Sequence, residues 1–180
     1  SVMSLLFNPS SYDPKFLDDE SREKLQALIQ FFEAKGNGEM QEDYNAAVWY
    51  SDFLEFAAKQ GLFKTFATPQ AVGKLTNDDD ARWDTARINE LNEILGFYSL
   101  GHWYTWQVSV LGLGPVWTSA NDTARAQVGN LLADGHIFGF GLSEKEHGAD
   151  IYSTDMIATR SGDGWTGSSG PSHRSHRRAP

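Results

Sequence analysis

At His136 the spacing of apolar residues changes from that of a helix to that of a strand, and this change most limits what the chain can fold into. Upstream, Leu25, Leu28, Ile29 and Phe32 recur three and four apart, as do Ile88, Leu91, Leu95 and Tyr98, which places each set on one helical face. In HIFGFGLS, residues 136–143, Phe138, Phe140 and Leu142 alternate with Ile137, Gly139, Gly141 and Ser143. The expected fold class is therefore mostly α with a small β part. A helical domain spans 1–135 and the beginning of a middle β domain spans 136–168.

Five helices are expected. Asp13-Pro14 offers a cap and a first-turn proline, and Gly36 can end that helix after Lys35. A second runs from about Gln41 to Gln60, with Trp49, Phe53, Phe56 and Ala57 on one stripe and Gly61 as its stop. Residues 61–76 read as a connection. A third helix begins among the acids Asn77 to Asp80 and continues to Tyr98. Residues 97–114 are apolar nearly all round, which suits a helix enclosed by neighbours, and Pro115 should end or deflect it. The last helix runs from about Asn121 to Ala133, before Gly135. Beyond the strand at 136–143, TDMIATRSGDGW reads as a second strand and a Gly162-Asp163-Gly164 turn, with Trp165 opening a third. The basic tail 169–180 shows no alternation and reads as disordered.

Composition narrows the function classes. The chain has no cysteine, so disulfides, thiol nucleophiles and thiolate metal sites are excluded. Net charge is -9, and three arginines of the tail carry no acid beside them, so the first 170 residues are more acidic still. Such a field repels phosphate backbones, and nucleic acid is not expected as a partner. No apolar run approaches the length of a membrane span and the start SVMSLLF lacks a basic leader, so a cytoplasmic protein is expected.

The glycine-bearing face of 136–143 is the most informative local feature. Gly139 and Gly141 leave two steps without side chains, where a flat ring could approach the backbone, and Ser143 places a hydroxyl at the rim. The same glycines could instead make room for an aromatic side chain from the helical layer. GFGLSE and GLGPVW lack the third glycine of a dinucleotide fingerprint, no phosphate loop occurs, and Lys145 prevents a GxSxG elbow. His136, Glu144, Glu146, His147 and Asp150 match no helical metal motif and read as a solvated loop, so no metal is expected. His102, among Trp103, Tyr104 and Trp106, reads as a packed core residue.

Residues 115–167 resemble the acyl-CoA dehydrogenase family. The stretch Gly141-Leu142-Ser143-Glu144-Lys145-Glu146-His147-Gly148-Ala149-Asp150 is similar to that family's A-L-T-E-P-x-A-G-S-D, and NDTARAQVGNLLADGHIFGF and STDMIATRSGDGW resemble what flanks it. The resemblance implies an N-terminal helical bundle followed by the first strands of an incomplete β-barrel domain. It implies FAD as cofactor, held by Phe140, Gly141, Leu142 and Ser143 at the ring and by Gly148 and Ala149 at the pyrophosphate, with Ala149 also meeting an acyl-CoA substrate. Lys145 and Ala149 stand where the family has Pro and Ser. The implied activity is α,β-dehydrogenation of an acyl-CoA thioester by an intact homo-oligomer. No residue of this chain takes the catalytic base's role, so it should be inactive alone. Alternatives are a flavin acyl-CoA oxidase or monooxygenase, or a non-catalytic helical fragment that binds a protein partner.

Overall fold

The computed structural model describes residues 7–145 and 147–168. The expected disordered tail at 169–180 lies outside the described residues. The chain divides into two compact units, Ser1–Phe140 and Gly141–Pro180. The first is helical and the second carries a two-stranded sheet, so the protein is mostly α with a small β part. Among the described residues no helix is long and apolar enough to cross a membrane.

Among the described residues seven α-helices build the first unit: α1 Asp19–Asn45, α2 Ser51–Lys59, α3 Leu62–Ala67, α4 Gln70–Thr76, α5 Thr85–Tyr98, α6 Leu100–Trp117 and α7 Asp122–Ala133. Each departure from the expected five has a local cause. Helix α1 starts after Asp18 rather than at Asp13-Pro14, because the Asp18 carboxylate accepts the Ser21 amide at 2.9 Å and the Ser21 hydroxyl at 2.7 Å. Gly36 interrupts α1 as expected, at φ 73°, but helix resumes beyond it to Asn45. The expected helix over 41–60 is broken at 46–50, where Ala47 turns to φ 51°, and α2 then begins at Ser51. Trp49 falls in that break and is exposed, whereas Phe53 and Ala57 are buried.

The supposed connection 61–76 is two short helices. Pro69 separates α3 from α4, and Leu62, Phe63, Phe66, Ala67 and Val72 are all buried. Helix α5 begins at Asp84, whose carboxylate accepts from the Ala86 and Arg87 amides, not among the acids at 77–80. Pro115 lies inside the last turn of α6 and does not end it. There a missing N–H removes only one intrahelical bond, and the helix runs on to Trp117.

The core joins one face of α1 (Leu25, Leu28, Phe32) to Phe53 of α2, Phe66 of α3, Leu91 and Leu95 of α5, and Leu113 of α6. Polar groups tie it internally. The Asn92 side-chain oxygen accepts from both the Trp103 and Trp106 indoles, at 3.0 and 3.1 Å, and the Trp117 indole donates to the Ala67 carbonyl at 2.9 Å.

The Asp18 cap has a pH signature. Burial opposes its ionisation, but the Ser21 amide and hydroxyl and the Arg82 guanidinium outweigh this and hold the carboxyl down at about 2. An unfolded aspartate titrates near ~3.9, so this contribution is complete above that pH and is lost as pH falls through the folded value. Thermal melts of the parent should drop more steeply than those of Asp18→Asn between these limits.

In the second unit β1 (Ile157–Ser161) pairs antiparallel with β2 (Gly164–Ser168), with Ile157 opposite Ser168 and Ser161 opposite Gly164. The two-residue turn works because Gly162 takes φ 58°, as the Gly-Asp-Gly signal implied. Both strands are exposed throughout.

Candidate functional site

Helix α7 ends on Gly135, at φ 86°, and residues 136–140 leave it without regular secondary structure. This segment is not the expected strand. Among the described residues no neighbouring strand takes its backbone groups, and the Phe138 amide and carbonyl are instead met by the Ser109 hydroxyl of α6, at 3.3 and 3.2 Å. Phe138 turns onto the core, while Ile137 and Phe140 are exposed. The expected alternation is not realised: Phe138 alone of Phe138, Phe140 and Leu142 is covered, and by a helix rather than by a sheet.

What lets the segment lie so close is the small face of α6. A Cβ on Gly112 would sit 2.4 Å from the Gly139 carbonyl oxygen and 3.2 Å from the Phe138 Cβ. Ser109 and Gly112, three apart on one helical face, were missed as site residues; their spacing in SVLG was the available signal. Gly112→Ala should therefore push 136–140 off α6 and cost about 1–3 kcal/mol. Urea unfolding measures the loss, and faster amide exchange at Phe138 locates it.

The side of Gly139 where a side chain would project is open, with nothing within 4 Å. No aromatic from the helical layer fills it. In the second unit the Cβ positions of Gly141 and Gly148 are likewise open. Leu142, Ser143 and Ala149 are exposed there.

The loop after Ser143 is held by its own polar groups. Glu144 and His147 exchange backbone hydrogen bonds at 2.8 and 3.3 Å. The Glu144 carboxylate accepts the Thr154 hydroxyl at 2.6 Å and the Asp155 amide at 2.8 Å, and these two donors hold its pKa below the usual value. His147 sits between carboxylates, with Nδ1 2.8 Å from Asp150 and Nε2 3.4 Å from Asp155. The Asp150 hydrogen bond is the main cause of its raised pKa, and His147 in turn lowers that of Asp150. Glu144, His147 and Asp155 bring potential ligand atoms within 4.8 Å of one another. Both imidazole nitrogens already face carboxylates, so the cluster is satisfied as an ion-pair network.

His102 is buried in the first unit, between Phe32, Phe53 and Tyr50, with Nδ1 2.8 Å from the Ser99 hydroxyl. Burial holds its pKa down at about 4.

No family model matches the chain, and no curated protein matches it. A solved chain described as "Electron transferring flavoprotein of Acidaminococcus fermentans: Towards a mechanism of flavin-based electron bifurcation" is similar in fold, with a TM-score of 0.67 and 19% identity over 84% of this chain. This chain spans 38% of that chain's length. These findings overturn the resemblance to acyl-CoA dehydrogenases and the dehydrogenation of an acyl-CoA thioester read from it. They lend no support to an oxidase, a monooxygenase or a partner-binding fragment either. The reason is physical: the resemblance rested on a Gly- and acid-rich loop after a strand, and residues 136–140 form no strand but are held on α6 through Ser109. The likeness that remains is one of fold, to a chain described as an electron transferring flavoprotein.

Proposed function

We propose that the chain is the helical part, with the first hairpin of a larger β unit, of a flavin-dependent electron-transfer protein. The observation that carries this reading is the likeness in fold to a chain described as an electron transferring flavoprotein. The open glycine positions support it independently. A planar ring can approach main chain at Gly141 without meeting a side chain, and Ser143 supplies a hydroxyl that both donates and accepts.

The cofactor proposed is FAD, with Phe140, Gly141, Leu142 and Ser143 at its ring and Gly148 and Ala149 at its pyrophosphate. When bound, the flavin supplies reversible uptake and release of electrons. The chain's own residues hold and orient it. Phe140 and Leu142 offer exposed apolar surface, and the exposed Gly148 offers a main-chain N–H to a phosphate oxygen. Cavities of about 10, 40 and 90 Å³ in the first unit fall far below the ~300 Å³ of a typical ligand pocket. The proposed ring residues 140–143 are themselves exposed, so the ring lies on an open surface. The exposed hairpin β1–β2 fits the same picture, since two strands alone bury too little to be stable.

Titration of FAD with the chain, followed by flavin fluorescence, tests the reading. Saturable quenching is expected. Ser143→Ala should weaken it about fivefold through one lost hydrogen bond, Gly141→Val by more than about tenfold through lost approach, and Asp150→Asn should strengthen it. Absence of saturation, or equal binding by Ser143→Ala and Gly141→Val, contradicts the assignment.

A further inference from the structure

We infer that the cleft between the C-terminal arm of α1 and the start of α6 is a binding site for a small organic ammonium ion. The arm, residues 37–50, follows the break at Gly36 and covers a cavity of about 40 Å³. Asp43, Trp49 and Tyr50 line it from the arm, and Lys35, Asp52 and His102 line it from the body of the unit. A water needs roughly 10–15 Å³ on this measure, so the space admits an ammonium group with one or two carbons.

Charge selects the ligand's sign. The Lys35 ammonium, nearly buried, faces Asp43 at 2.6 Å, Asp52 at 2.5 Å and Glu39 at 3.5 Å. The lining holds two carboxylates against one cation, an excess of one negative charge, and Glu39 outside it adds a second. An anion could reach Lys35 only by displacing carboxylates already bonded to it. The second Asp43 oxygen accepts no hydrogen bond among the described residues, whereas the second Asp52 oxygen accepts the Phe53 amide at 2.8 Å. That free Asp43 oxygen is the natural acceptor for an N–H of the ligand.

Two further features fit a cation. The Trp49 and Tyr50 rings lie 5.6 Å apart at the mouth and offer π faces, which attract ammonium groups. His102 is 95% buried and neutral, and its Nε2 has no hydrogen-bond partner among the described residues. His102 also lines the cavity, so an N–H donor seated there lies beside the imidazole that carries this unpartnered nitrogen. Trp49 is 60% exposed, so a longer substituent on the ammonium can extend past it into solvent.

Amide NMR of the full chain, titrated with methylammonium chloride, tests the inference against sodium chloride and sodium acetate at equal ionic strength. Saturable shifts confined to residues 43–52 and 99–102 are expected with methylammonium only. Trp49→Ala, at an exposed position, should weaken binding about fivefold. Asp43→Asn should weaken it at least as much, and each variant's amide spectrum without ligand reports whether the fold is kept. The inference is overturned if methylammonium gives no saturable shift, if sodium or acetate gives the same shifts, or if Trp49→Ala binds as tightly as the parent.

Discussion

Replacing Phe32 by alanine is expected to lower the unfolding free energy by about 4 kcal/mol. Phe32 is fully buried. Its ring stacks on Tyr98 at 4.7 Å and 12°, and meets the edge or face of Phe31, Phe53 and His102 at 5.2, 6.0 and 5.2 Å. Tyr98 is fixed from outside by its hydroxyl on Glu33 and His102 by Ser99, so the walls cannot collapse into the space left behind. Phe32→Leu should lose less than half as much. Urea unfolding should show a lower midpoint with an unchanged slope, and a loss below about 1 kcal/mol for the alanine variant contradicts this packing. A second readout follows from His102. Burial holds its folded pKa at about 4 against ~6.5 unfolded, so the unfolded chain binds the extra proton first and stability falls as pH drops from ~6.5 to about 4. Opening a cavity beside the imidazole should flatten that part of the pH profile.

Arg87→Ala should lose about 3 kcal/mol, through both a cavity and two orphaned carbonyls. The side chain is 1% exposed, and its Nη2 donates to the carbonyls of Thr65 and Arg82 at 2.5 and 2.6 Å, tying α3 to the turn before α5. The guanidinium carbon lies 5.3 Å from the centre of the Phe66 ring. Among the described residues no carboxylate comes within ion-pair distance, and Nε and Nη1 are buried without partners. Burial, and then the nearby Arg82 charge, pull its pKa down. A charge held this way is expensive, so Arg87→Met, which keeps the volume and removes the charge, should lose only about 1 kcal/mol. Arg87→Lys cannot reach both carbonyls with one ammonium and should resemble alanine. If methionine proves as damaging as alanine, the carbonyl ties outweigh the desolvation of the charge.

Helical spacing alone located α6 and α7 to within a few residues and the end of α5 at Tyr98, but it started α5 five to eight residues too early. The hairpin was legible for a different reason: Gly162 is needed for the turn's positive φ, and little else fits Gly-Asp-Gly there. Short helices α3 and α4 were hidden, since six or seven residues hold too few turns to display a period and Pro69 disguises the pair as a loop. Residues 136–140 show the limit of period-2 reasoning. Alternation in sequence fixes neither a covered side nor a partner for the backbone: here only Phe138 is covered, and α6 meets its amide and carbonyl. The bare backbone at Gly139 and Gly141 could be read directly, but the Ser109 and Gly112 face that seats the segment could not be paired with it from sequence separation alone. The charged cleft around Lys35 was also invisible, because Asp43 and Asp52 reach it only through the break at 46–50.

Spectroelectrochemical titration of the chain saturated with FAD and freed of unbound flavin tests the central claim most directly. A bound flavin that exchanges electrons reversibly with the electrode, at a midpoint displaced from that of free FAD, is the predicted result. A colourless protein after removal of free flavin, or a bound flavin with the spectrum and midpoint of FAD in solution, contradicts it.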